Sequence, residues 1–317
     1  MPSSVVITGG LGFIGSTILD QLIRTTDYTI LVIDDLSGGR VIDENIISTL
    51  LNPRVIWLPE TEISRPQLIS DFEIKGIIHF GAIASTSLEV SSKKIFQKNV
   101  YFTDLIFKFA EAKNAQIIFA SSAAIYGNSQ SISSMGKLAP TNLYGLSKAM
   151  NESSLLRYKN LNATVLRLFN VYGLGEAHKG SMVSMPLNMY QEASGGGQIT
   201  IFQKDQRKIE DREAIYRDFI HVEDVAKLVE MILQSGSGYG IIDVGVGFAM
   251  DTYALAQMVQ EFFTHSTIVT KTFSGDWGSY QKFTKANLSW LDKTNLDWAP
   301  RDTESGIKNY LQKLNSI

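Results

Sequence analysis

Cysteine is absent from all 317 residues, which excludes disulfides, thiolate metal sites and cysteine nucleophiles. An excess of basic charge is missing too. The chain has 29 Lys and Arg against 32 Asp and Glu, a net charge of -3, and so lacks the basic footprint of non-specific nucleic-acid binding. No uninterrupted apolar run approaches the ~20 residues that a membrane helix needs. The start of the chain has no basic region followed by an apolar stretch, but goes straight into the strand-like Val5-Val6-Ile7-Thr8. These absences together predict a cytoplasmic protein with no nucleic-acid or membrane partner. Histidine is scarce, and His79, His221 and His265 have no metal-ligand spacing, so they read as structural and no metal is expected. Internal repeats, low-complexity tracts and long linkers are also lacking.

What is present is the composition of a globular protein, 44% hydrophobic and 19% charged, enough to bury a sizeable core. The first half alternates short β-branched runs with helical patterns. Strands are predicted at 5–8, 30–34, 54–58, 76–80, 116–120 and 163–168, with helices after the first strand, over 95–113 and over 142–159. That alternation is the signature of a parallel sheet covered by helices. The fold class is α/β, a Rossmann-type doubly wound parallel sheet with a smaller C-terminal substrate-binding lobe. Beyond residue 170 the alternation fades into Gly-rich and polar sequence, and 204–217 is dense in charge and reads as a solvated loop. Regular structure is expected again at 218–222, in a helix from about 223, and at 241–244. The two lobes are therefore expected to interleave, residues 1–171 and 218–246 binding dinucleotide and 172–217 and 247–317 binding substrate.

Thr8-Gly9-Gly10-Leu11-Gly12-Phe13-Ile14-Gly15 follows the first strand and opens the first helix. Glycine suits a backbone that bends tightly, approaches a pyrophosphate and lets helix pack on strand. The helix N-terminus offers N–H groups and partial positive charge to a diphosphate. A glycine pattern alone is weak evidence, but here its strand–turn–helix context is right. Asp34 stands about 20 residues further on, where an acid can bind the adenosine ribose hydroxyls. That position favours NAD, whereas Arg40 in the following loop would clamp the 2′-phosphate of NADP. Read as an exposed loop residue, Arg40 decides nothing.

Ser122 lies at the end of a strand, where open α/β sheets place their ligands. Tyr144 and Lys148 are four residues apart and share one face of a helix. A tyrosine is a poor base at neutral pH, with a free pKa near ~10. A neighbouring ammonium and an oxidised nicotinamide would favour the phenolate. Ser122 can then hold the same substrate oxygen for proton transfer. Tyr-x-x-x-Lys by itself is a common accident; its weight comes from the combination with the glycine turn and Ser122.

With these motifs, and with the Arg217-Asp218-Phe219-Ile220-His221-Val222-Glu223-Asp224 stretch, the chain resembles extended short-chain dehydrogenases that modify nucleotide sugars. A narrower similarity lies in Phe169-Asn170-Val171-Tyr172-Gly173, His178-Lys179-Gly180-Ser181-Met182 and Gly278-Ser279-Tyr280-Gln281-Lys282-Phe283-Thr284. These segments resemble the ADP-L-glycero-D-manno-heptose 6-epimerase branch of that family, and the resemblance covers essentially the whole chain.

The resemblance implies that Gly9, Gly12, Phe13, Ile14, Gly15, Asp34, Asp35, Arg40, Ala82, Asn99, Tyr144, Lys148 and Val171 contact the cofactor. It implies that Ser85, Asn170, Ser181, Asn188, Arg217 and Tyr280 hold a nucleotide sugar, with Phe202 at the nucleotide end. Tyr144 and Lys179 would be paired acid/base residues, assisted by Lys148 and Ser122. The resemblance also implies a homo-oligomer and tips the cofactor towards NADP over NAD.

Asp35 departs from the family's usual Asn, Asn188 from its usual His, and the 204–217 loop is longer than usual. The runner-up activity is UDP-hexose 4-epimerisation. A 4,6-dehydratase is disfavoured because Ala123-Ala124 stand where an acid is needed. A non-catalytic cofactor sensor would have no use for Ser122, Tyr144 and Lys148 together.

Overall fold

The computed structural model describes residues 3–38, 42–64, 69–84, 91–128 and 138–316. Its centre is a seven-stranded sheet, parallel throughout. Six strands are β1 (Ser3–Thr8), β2 (Thr29–Ile33), β3 (Val55–Leu58), β4 (Glu73–His79), β5 (Gln116–Ser122) and β6 (Ala163–Leu168); the seventh is Gly240–Val244. Across the sheet the order is β3-β2-β1-β4-β5-β6 and then Gly240–Val244. The chain thus winds outward from β1 to one edge, then returns to β4 on the other side of β1. At such a reversal the connections leave in opposite directions and open a crevice at the strands' C-terminal ends.

The strands are continuous apolar runs because both faces are covered. Val5, Ile7, Ile30, Val32, Ile78 and Ile118 pack on one face with Ile18, Leu19 and Leu22 of the first helix, Phe13–Thr25. Val6, Leu31, Ile77, Ile117 and Phe119 pack on the other with Ile106, Phe107 and Ala110 of the Phe102–Lys113 helix. Ile18, Leu19 and Leu22 are fully buried, each stabilising the fold by roughly 1.5–3 kcal/mol.

The strand and helix expectations of the first half hold with shifts of a few residues at their ends. The helix expected over 95–113 is one rod of three parts: Ser92–Ile95, a π-helical turn at Phe96–Tyr101, and Phe102–Lys113. The wider turn carries the fully buried Asn99. The helix expected over 142–159 spans Leu143–Leu155.

The second half holds more structure than its sequence reveals. A third core cluster joins Tyr172, Leu187, Ile199, Phe219, Leu255 and Ile307. Around it lie the helices Met185–Gly196, Thr252–Phe262 and Thr303–Leu314 and a parallel pair of strands, Gln198–Gln203 and Thr267–Thr272. Met185–Gly196 lies in the stretch where the alternation fades into Gly-rich and polar sequence; Ser184 caps its first turn and Pro186 stands where a missing N–H costs nothing. The 204–217 run is mostly solvated, with one short turn at Ile209–Asp211, but ends in the buried Ile215 and Arg217. Among the described residues no helix is long and apolar enough to cross a membrane.

Candidate active site

The crevice at the β1/β4 reversal is lined by the glycine turn, the β2 end and residues 80–83 after β4. Gly9 has φ +67 and packs on Gly81. A Cβ at Gly15 would lie 2.0 Å from the Gly9 carbonyl oxygen. Glycine is therefore demanded by backbone packing, and the first helix starts at Phe13 with no side-chain cap. That cradle, with Ala82 and Ile83 on its far wall, fits the diphosphate of a dinucleotide.

At the ribose end, Asp34 is engaged within the protein. Its two oxygens accept from the Leu11 amide (2.9 Å) and the Leu36 amide (2.8 Å), so it ties the β2 end to the glycine turn. Asp35 caps the Ser37 amide at 3.0 Å. Lys98 forms ion pairs with both Asp35 and Glu60. The pull of Lys98 and Ser37 outweighs desolvation and holds the Asp35 carboxyl below its usual range. Arg40 and Ser85 fall outside the described residues.

Asn99 does not reach the cavity with its amide donors. Its Nδ2 donates to the Ile83 carbonyl (3.0 Å) and Ser147 Oγ (3.1 Å), and its Oδ1 accepts from the Ile83 amide (2.8 Å). Its part is to fix Ile83, which does line the cavity. His79 joins the same framework. Thr103 Oγ1 donates to the Asn99 carbonyl at 2.6 Å, so it accepts from His79 Nε2 at 2.9 Å. The Thr8 hydroxyl then donates to His79 Nδ1 at 2.6 Å. Burial, with Lys148 nearby, pushes the His79 pKa down to about 3, which makes it a neutral structural strut. His221 is likewise structural, capping its helix by accepting from the Glu223 amide at 3.2 Å. No group of acidic or His side chains among the described residues could hold a metal.

Ser122 ends β5, and its hydroxyl accepts from the Ala124 amide at 3.1 Å. The Tyr144 helix is capped by Asn142 and packs so closely on the Ala123–Tyr126 turn that a Cβ at Gly145 would meet the Ala124 oxygen at 2.7 Å. Tyr144 and Ser122 are thereby brought close to one another; burial raises the phenol pKa and the nearby Ser122 hydroxyl opposes the rise. Lys148 is buried, and its Nζ donates to the Ala120 carbonyl at 2.7 Å while lying 5.8 Å from the centre of the Tyr144 ring. Burial brings its pKa down to about 7, against the upward pull of Glu152. Glu152 itself is locked by Arg167 (2.7 Å) and Ser121 (2.5 Å), which pins this helix to β5 and β6.

Facing the cradle is the Ala177–Met182 turn. Lys179 Nζ lies 5.0 Å from the centre of the Phe13 ring and 3.5 Å from Glu176 Oε2. Burial lowers its pKa and Glu176 opposes the change. Ser181 beside it is exposed. Arg217 is buried; its Nη1 donates to the Tyr216 carbonyl (3.0 Å), and its guanidinium lies 5.4 Å from the centre of the Tyr280 ring; burial lowers even its pKa, so this cation is short of compensating charge. Tyr280 stacks on Trp277, with ring centres 5.0 Å apart, and Phe202 meets Phe273 at 5.9 Å. Asn170 uses Nδ2 on the Asp218 carbonyl (2.7 Å) and Thr284 Oγ1 (3.2 Å), leaving its oxygen for any ligand. Val171 lies in the adjacent short strand, and Asn188 is half-buried on the Met185–Gly196 helix.

Sequence reasoning missed Glu60, Lys98, Glu176 and Gln281. Gln281 donates to the carbonyls of Ala123 (3.3 Å) and Gly127 (3.0 Å), docking the Tyr280 segment onto the Ser122 turn. Its position between Tyr280 and Lys282 was the available signal. Glu60 follows the end of β3, where a side chain reaches the crevice; Lys98 and Glu176 carry no local signature.

The model of the NAD dependent epimerase/dehydratase family matches residues 5–245. The ADP-L-glycero-D-manno-heptose-6-epimerase of Alkalilimnicola ehrlichii is 31% identical over 97% of this chain and 96% of its own length. The structure of the Helicobacter pylori ADP-L-glycero-D-manno-heptose-6-epimerase aligns with a TM-score of 0.81 at 24% identity, covering 100% of this chain and 97% of that one. The Thermus thermophilus UDP-glucose 4-epimerase in complex with NAD aligns at 0.77 and 23% identity, over 98% and 99%.

Proposed function

Because the chain belongs to the NAD dependent epimerase/dehydratase family, we propose that it is an isomerase converting ADP-D-glycero-D-manno-heptose to ADP-L-glycero-D-manno-heptose. Its nicotinamide cofactor, when bound, supplies transient oxidation at carbon 6 of the sugar. The glycine cradle with Gly9, Gly12, Phe13 and Gly15 would hold the diphosphate, and the Asp34–Asp35 end the adenosine ribose. Three carboxylates, Asp34, Asp35 and Glu60, line this end of the crevice with the single ammonium of Lys98, which pairs with Asp35 and Glu60, among the described residues there. That balance speaks for NAD, because a 2′-phosphate would add two negative charges to it. Arg40, on which an NADP reading leans, is outside the described residues.

The observation that carries the reading is a pair of acid/base groups on different lobes. Tyr144, close to Ser122, moves a proton at the carbon 6 oxygen in one configuration. Lys179, held beside Phe13, does so in the other. An amine with a lowered pKa can both give and take a proton near neutrality. Arg217, buried and poorly compensated, suits the substrate's diphosphate, and the Phe202–Phe273 and Trp277–Tyr280 rings suit its base.

The test is Lys179→Met, which keeps much of the apolar stem and removes the ammonium. Interconversion of the two ADP-heptoses should fall by roughly 10²–10⁴-fold with substrate binding only modestly weakened. A wild-type rate would remove Lys179 from the chemistry. Turnover of UDP-hexoses in its place would favour the 4-epimerase reading.

A further inference from the structure

The turn that carries Lys179 is folded around a carboxylate with no solvent contact. Glu176 is 1% exposed. Its Oε1 accepts from the Gly173 amide (3.2 Å), the Ser184 hydroxyl (2.7 Å) and the Tyr310 hydroxyl of the C-terminal helix (3.1 Å). Its Oε2 accepts from the Ser184 amide (2.5 Å) and lies 3.5 Å from Lys179 Nζ. An acceptor-only group ringed by donors is what an ionised carboxyl offers, and these bonds offset the cost of burying it. The amine meets this carboxylate on one side and the face of Phe13 on the other, at 5.0 Å. Phe13 opens the helix of the glycine cradle, so the contact places the amine at the border between cradle and substrate lobe.

Resting on the two-base reading above, we propose that Glu176 is the positioning residue for Lys179, its buried negative charge holding the amine at the cradle and retaining the proton there until the sugar oxygen takes it. Glu176 touches neither sugar nor cofactor and acts only through the lysine. A loop anchor needs hydrogen-bond acceptors but no charge. The charge is placed opposite a functional amine, and it is the sole charged group acting on Lys179 among the described residues. Tyr310 on the C-terminal helix, with Tyr172 beside it, supplies the other titratable groups packed around the carboxylate. Both phenols are held protonated there, since burial raises their pKa above the working range.

The charge predicts a shift that a neutral anchor would not cause. Glu176→Gln removes the upward pull on the amine, so the limb of the kcat–pH profile set by Lys179 should move to lower pH by roughly one pH unit. A shift of that size is the low end of what an opposite charge at this distance causes, because the lysine side chain is 27% exposed. Turnover should fall by roughly 10–100-fold with substrate KM nearly unchanged. Glu176→Asp keeps the charge but retracts it, and should return the limb towards its wild-type position while kcat stays low. A fall in kcat with an unmoved limb makes Glu176 a structural anchor and overturns the proposal, as does a wild-type profile. If Glu176→Gln does not fold, Glu176→Asp decides alone: lowered kcat with unchanged KM and a limb moved part of the way to lower pH supports the proposal, and wild-type kcat or an unmoved limb overturns it. Lys179→Met separates this inference from its premise. A wild-type rate in that variant removes the two-base reading itself, whereas an inactive Lys179→Met beside an unaltered Glu176→Gln removes only the role of Glu176.

Discussion

Lys148→Met should make the cofactor-free protein more stable near neutral pH, and the gain should vanish as pH rises. The lysine is 2% exposed, and burial lowers its pKa from 10.5 to about 7. An amine with a depressed folded pKa loses its proton first in the native state. Between pH 7 and 10.5 the unfolded chain therefore binds more protons, and wild-type stability rises with pH across that window. At about 1.4 kcal/mol per unit, the rise attributable to Lys148 between pH 7 and 10 is about 4 kcal/mol. Methionine has no proton to bind, so the variant lacks this slope. It also orphans the Ala120 carbonyl that Lys148 Nζ now satisfies at 2.7 Å, at a cost of about 1–3 kcal/mol that is the same at every pH. The assay is urea unfolding of both proteins at pH 7, 8, 9 and 10, followed by fluorescence of the four tryptophans, of which Trp290 and Trp298 are buried. The stability of Lys148→Met minus that of wild type should be greatest at pH 7 and shrink by about 4 kcal/mol by pH 10. A difference that stays level or grows with pH would refute the reasoning, because the buried amine would then be keeping its proton.

Tyr144→Phe should lower turnover by roughly 10²–10⁴-fold while dinucleotide affinity and folding hold, measured by product assay and calorimetry; near-wild-type turnover would take the first acid/base role away from Tyr144. Gly15→Ala should weaken dinucleotide binding by about tenfold or more, because its Cβ would lie 2.0 Å from the Gly9 oxygen and backbone can yield only by moving the cradle, a strain of ~1–3 kcal/mol. In the same titrations wild type should bind NAD more tightly than NADP. Unchanged affinity in Gly15→Ala, or tighter NADP, would count against the cradle or against the acidic ribose end respectively.

The sheet, the close-packed glycine turn and the Tyr144–Lys148 pair were legible in the sequence because each is local. Strand runs such as Val5–Val6–Ile7 declare themselves by burial on both faces. The glycine turn declares itself by backbone demands within seven residues, and Tyr144 and Lys148 by one turn of helix. Met185–Gly196 was not legible, since its glycines outweigh a pattern that only a tertiary core stabilises. The single rod expected over 95–113 holds a π turn, which follows from where Asn99 must point and not from propensity. Asp34 was readable as an acid after β2, but its bonds to Leu11 and Leu36 depend on how β2 and the glycine turn meet. The pairings of Lys98 with Glu60, 38 residues apart, and of Glu176 with Tyr310, 134 residues apart, have no trace in any window of sequence. Residue type and short spacing specify what a local backbone can do, whereas burial, charge pairing and pKa arise only when distant segments displace water from one another. The sequence by itself therefore determined the fold and the chemistry available, and the tertiary structure decided which charges face each other and so which groups can hold or release a proton.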